Sequence, residues 1–101
     1  MIGVYAHAIV KPECTEAFEE LAHKLVEKSQ QEEGLLSYEY GVLTAESTTD
    51  EGQATTEFAF IERWESFEAL EAHMETEHYK EADANAPALL ATPLQINIYE
   101  I

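Results

Sequence analysis

The sequence predicts one small α+β domain in the order β-α-β-β-α-β, a four-stranded antiparallel sheet with helices on one face. Three observations carry this expectation. Four segments are rich in branched and aromatic residues and alternate with period two. Two intervening segments repeat their apolar residues at helical spacing. The chain has 101 residues and 46% apolar content, enough for one domain.

The first strand runs from Ile2 to Val10 and ends at Lys11-Pro12. Val4, Ala6, Ala8 and Val10 form one set, and Tyr5, His7 and Ile9 the other. Both sets are largely apolar, so both faces of the sheet are expected to be covered. A helix from Thr15 to Glu32 follows, with Thr15 as its N-cap and acidic residues in the first turns. Phe18, Leu21, Ala22, Leu25 and Ser29 make its inner stripe, and Gly34 stops it.

The second strand spans Leu35 to Thr44, with Leu36, Tyr38, Tyr40 and Val42 on one face. The polar stretch from Ala45 to Ala54 reads as an exposed hairpin loop. The third strand, Thr55 to Trp64, places Phe58, Phe60, Glu62 and Trp64 on one face. Ser66 caps a helix carrying Phe67, Leu70, His73 and Met74, and Thr76 begins another helical stretch reaching about Leu90. Pro93 precedes a last strand, Leu94 to Ile101.

This order gives a ferredoxin-like sheet whose helices shield a single side. A short domain buries only about two-thirds of its unfolded surface. A second copy is the economical cover for the other side, so a homodimer is expected.

The formal charge is −16, from 21 acidic against five basic residues. Such a domain repels nucleic acid and anionic membranes. The acids are spread along the chain, which favours a strongly solvated surface over a cation-binding tail. No apolar run approaches the ~20 residues that cross a bilayer. The first residues alternate like a strand and do not resemble a signal peptide. Cys14 is the only cysteine, so no internal disulfide forms. These features predict a cytoplasmic protein.

The stretch from Phe60 to Tyr79 carries the chemistry. A strand delivers Glu62 and Trp64 to one face, and a capped helix brings His73 back across the sheet. A carboxylate between Phe60 and Trp64 must be paired or hold its proton to unusually high pH. His7 reads either as a base or as a satisfied core histidine, and Glu62 as its possible partner on an adjacent strand. His73 reads as inner-face packing or as a catalytic group, and His78 as a helix-boundary residue. Trp64 serves as core, as pocket wall, or as both. A zinc or iron site is not expected. His73 and His78 are five residues apart, a poor spacing for one helical face, and no His-x-x-x-His occurs.

Glu62, Trp64, Ser66, Ala69, Leu70, His73, Thr76, His78 and Tyr79 form a pattern, Glu-x-Trp, Ser, Ala-Leu, His-x-x-Thr-x-His and an aromatic, that resembles the antibiotic biosynthesis monooxygenase family. The first strand, the proline after it, the long first helix and the glycine before the second strand also fit. The resemblance implies a dimeric α+β barrel and a monooxygenase of quinol-like or phenolic aromatics. It implies dioxygen as co-substrate and no cofactor, metal or flavin. His7, His73 and Glu62 are then the candidate catalytic residues. Trp64, Phe58, Phe60, Tyr38, His78 and Tyr79 are the candidate substrate-binding residues.

The anthrone-oxygenating branch has an Asn and a Tyr where this chain has Phe60 and Leu70, so an anthrone substrate is not expected. The haem-degrading branch has an Asn and a ligand His where this chain has His7 and Asp83, which argues against haem. The alternative functions are a non-catalytic ligand-binding or structural dimer module, or an isomerase or signal-degrading enzyme on the same fold. A pocket beside Trp64 with two converging polar groups favours the enzyme.

Overall fold

A computed structural model describes residues 1–43 and 56–101. The elements are β1 (Ile2–Val10), α1 (Thr15–Ser29), β2 (Leu35–Val42), β3 (Thr56–Trp64), α2 (Phe67–Met74), α3 (Glu77–Asn85) and β4 (Gln95–Glu100). Single 3-10 turns precede α1 (Pro12–Cys14) and follow α3 (Ala86–Leu89). The strands are ordered β2-β3-β1-β4 and every neighbouring pair is antiparallel. This is the expected ferredoxin-like α+β arrangement. The expected hairpin loop from Ala45 to Ala54 lies outside the described residues.

The core lies between the sheet and the helices. Val4, Ala6, Ala8 and Val10 of β1 and Phe58, Phe60, Glu62 and Trp64 of β3 are all buried on that side. The register pairs Val4 with Glu62 and Ala6 with Phe60. Phe18 of α1 packs on Phe58 with ring centroids 4.9 Å apart. Burying each such side chain stabilises the fold by about 1.5–3 kcal/mol.

The opposite face is mixed. Tyr5, Ile61 and Tyr99 stand 41–55% exposed there. They share it with His7, Arg63, Gln95 and Asn97, as the pairing of Tyr5 with Ile61 and Asn97, of Gly3 with Arg63 and Tyr99, and of His7 with Gln95 requires. The period-two reading of β1 alone overstated how apolar this face is, because its neighbours supply the polar residues.

Three local expectations are corrected. The first helix ends at Ser29 and not at Glu32, which lies in the turn that follows. Thr15 is not the cap of α1. The preceding 3-10 turn puts Cys14 there, without a side-chain capping bond, and the Thr15 hydroxyl bonds the Pro12 carbonyl at 3.1 Å. In β2, a bulge between Leu35 and Ser37 leaves Leu36 exposed, so it does not share the Tyr38 and Tyr40 side. Ser66 caps α2 as expected, accepting from the Ala69 amide.

Gly34 has φ +86°, and a Cβ there would stand 2.6 Å from the Ala69 Cβ. Only glycine meets both demands. Its carbonyl accepts from the Glu65 amide at 2.8 Å. The turn that carries Glu32 is thereby pressed against the start of α2.

Candidate active site

An apolar cavity of about 90 Å³ lies between sheet and helices. Val4, Phe60 and Ile98 line it from the sheet, Leu21 and Leu25 from α1, and Met74 and Ala82 from α2 and α3. Ile96 and Ile98 are both 47% exposed and mark its open side at β4. Four polar groups, Tyr38, Glu62, His73 and Tyr79, gather in the wall, with Asp83 at the margin.

Glu62 is only 7% exposed. Its Oε1 accepts from the Trp64 indole Nε1 at 2.9 Å, and the Tyr38 hydroxyl also bonds it. Burial pushes its pKa up to about 7, although both donors oppose that rise and the Glu32 charge adds to it. Burial and the Glu62 charge push the Tyr38 hydroxyl well above its ordinary value, so it stays protonated as a donor. Tyr79 is raised too, by burial and by Asp83 and Glu62.

His73 is 1% exposed. Its ring packs on Trp64 at 4.7 Å and on Tyr79 at 5.0 Å between centroids. Nδ1 meets Glu32 Oε2 at 2.8 Å, while Nε2 is buried with no partner among the described residues. A carboxylate only accepts, so Nδ1 carries the proton and Nε2 keeps a bare lone pair. Burial lowers the His73 pKa more than Glu32 raises it, which keeps the ring neutral. His78 Nε2 meets the same Glu32 oxygen at 2.5 Å.

The structure brings together Glu62, Trp64, Phe60, Tyr38, His73 and Tyr79. His7 is not among them. It points to the other face of the sheet, stacks on Tyr5 and bonds Glu57 Oε1 at 2.8 Å. Its strand neighbours are Ala59 and Gln95, whereas Glu62 pairs with Val4. Strand register therefore separates His7 from Glu62, so the two do not pair, and His7 lies outside this cavity. Phe58 is also outside the wall, buried between Phe18 and Tyr40. Trp64 backs the cavity through Glu62 and His73. His78 reaches Glu32, not the cavity. Glu32 is the residue that sequence reasoning missed. Its partners lie 41 and 46 positions away.

The family model for antibiotic biosynthesis monooxygenases matches residues 1–85. The chain belongs to that family. Among relatives, it is 35% identical over 100 residues to a Synechocystis protein, sll1783, covering 99% of this chain and 63% of that protein. It is 33% identical over 96 residues to the Bacillus subtilis protein named "Putative monooxygenase YcnE", covering 95% of this chain and 93% of the relative. A crystal structure of an antibiotic biosynthesis monooxygenase superposes with TM-score 0.80 at 28% identity, covering all of this chain and 98% of that one. The chain thus spans a little under two-thirds of the Synechocystis relative and nearly all of the other two. Trp64 bonds Glu62, and His73 bonds Glu32. No helix among the described residues is long and apolar enough to cross a membrane.

Proposed function

We propose that the protein is a small monooxygenase that oxidises a single-ring hydroquinone or related phenol with dioxygen, without a cofactor, as a cytoplasmic homodimer. One observation carries this reading: a buried carboxyl with a pKa near 7 in the wall of an apolar cavity, beside an imidazole with a bare nitrogen. A pocket with two such polar groups favours an enzyme over a filled structural module.

Ionised Glu62 takes the proton of one ring hydroxyl. A base whose pKa sits near the working pH serves this step best. The His73 ring in the cavity wall packs beside the bound ring and orients it. The electron-rich phenolate then reduces dioxygen directly. One oxygen atom enters the ring and the other leaves as water, so a hydroquinone and dioxygen give a hydroxylated quinone and water. The protonated Tyr38 keeps Glu62 in place, and Phe60 and Tyr79 with the aliphatic wall keep water out.

A cavity of about 90 Å³ is smaller than the usual few hundred Å³ of a drug-sized site. It suits one ring, and a three-ring anthrone is too large. The mixed sheet face with Tyr5, Ile61 and Tyr99 supports pairing with a second copy. The single cysteine fits a reducing compartment.

An oxygen electrode with hydroquinone, catechol, a naphthohydroquinone and anthrone tests the reading. Uptake is expected to be fastest with the single-ring substrates. Uptake no faster than the uncatalysed background across the panel would reject it.

A further inference from the structure

We propose that Glu32, His73 and His78 form a binding site for one divalent transition-metal cation, a two-histidine, one-carboxylate set that takes zinc, cobalt, nickel or iron(II). The three donor atoms, Glu32 Oε2, His73 Nδ1 and His78 Nε2, all lie within 4.8 Å of one another. The Glu32 oxygen stands 2.8 Å from one nitrogen and 2.5 Å from the other. Ligands about 2.1 Å from a common ion stand about 3.0–3.4 Å apart in octahedral or tetrahedral geometry. A small spreading of these side chains therefore admits the ion.

Three separate backbone devices bring the donors together. Glu32 sits in the turn held by the hydrogen bond its amide N–H donates to the Ser29 carbonyl at 3.0 Å and by the close packing of Gly34 on Ala69. His73 ends α2. The chain then breaks at Glu75 and Thr76 before α3 begins. Thr76 pins that break. Its hydroxyl donates to the His73 carbonyl at 2.7 Å and accepts from the Tyr79 amide at 3.2 Å. A five-residue spacing that cannot share one helical face becomes convergent because the helix is interrupted between the two histidines.

The surroundings suit a cation. His73 is deeply buried, while the Glu32 and His78 side chains are 13% and 18% exposed, so the cluster sits at the edge of the core within reach of solvent. The formal charge of −16 concentrates cations around the molecule. Ligation at His73 Nδ1 moves the ring proton to Nε2. That nitrogen has no partner to lose, so the exchange breaks no hydrogen bond there. It changes the buried ring beside the cavity: an N–H donor replaces a lone pair.

The test is cobalt(II) titration of the tag-free, metal-stripped protein, followed by optical absorbance and proton NMR. One cobalt per chain is expected. It should broaden the His73 and His78 imidazole resonances and spare those of His7 and His23, and zinc should displace it. E32Q and H78A, with folding checked by circular dichroism, should each bind at least about tenfold more weakly. Broadening centred on His7 or His23, or binding unchanged in both variants, would overturn the proposal. So would a wild type that binds no cobalt beyond what H78A retains.

Discussion

Trp64 Nε1 donates to Glu62 Oε1 across 2.9 Å, although the two residues are neighbours on one face of a single strand. The indole is fully buried and fills the core, yet its one polar atom is spent on the carboxylate beside it. This bond lets a carboxyl survive in an apolar wall. It also leaves the acid poised near neutrality, because two donors favour the ionised form and burial disfavours it more strongly.

Glu62→Gln should separate catalysis from stability. In the folded protein the carboxyl keeps its proton until about pH 7, against 4.5 for the unfolded chain. Between those values unfolding releases a proton, so this group makes stability fall as pH rises from 4.5 to 7, with no further change above. Removing the ionisable group removes that loss. E62Q should be roughly 1–3 kcal/mol more stable than wild type at pH 8 and close to it at pH 4. Chemical denaturation at both pH values checks this. Its oxygen uptake should fall at least about a hundredfold, the usual worth of a general base.

Trp64→Phe keeps an aromatic ring but deletes the donor. Glu62 then loses a bond that favours its charged form, and its pKa should rise further. The acid limb of the rate profile should move to higher pH, with a stability cost of about 1–3 kcal/mol from lost volume and an emptier core. A pH series of oxygen uptake reads the shift, and a limb that stays in place argues against the bond.

His7→Ala should leave uptake within about twofold of wild type, whereas His73→Phe should reduce it sharply while retaining the ring packing on Trp64 and Tyr79. The sequence placed Phe58, Phe60, Glu62 and Trp64 correctly on one face, because alternation along one strand needs no partner. It could not decide whether His7 or Val4 and Ala6 faced the helices, since both sets on β1 carry apolar residues. Only the pairing of β1 with β3 settles that. Glu32 was illegible for a similar reason. The expected helix ran through it, whereas α1 ends at Ser29 and leaves it in a turn, and its partners are distant in sequence. His78 was discounted from helical spacing, a rule that the break at Thr76 suspends.

Gly34→Ala should destabilise the fold by about 1–3 kcal/mol, from a left-handed backbone and a Cβ pressed on Ala69. Its effect should extend to Glu32, loosening both histidine contacts. Thermal unfolding measures the first effect and histidine NMR shifts the second.

Ile61→Lys places a charge in the middle of the mixed sheet face and leaves the cavity untouched. Light scattering at micromolar concentration should find a dimer for wild type and a folded monomer for this variant. A wild-type monomer would remove the case for pairing across this face.

The ionisation of Glu62 can be watched directly. Its carboxyl stretch, followed by difference infrared against E62Q, should titrate near pH 7, and kcat/KM for hydroquinone oxidation should rise with the same midpoint. A carboxyl that ionises near its ordinary 4.5, or a rate that rises with no relation to it, would contradict the assignment of Glu62 as the base.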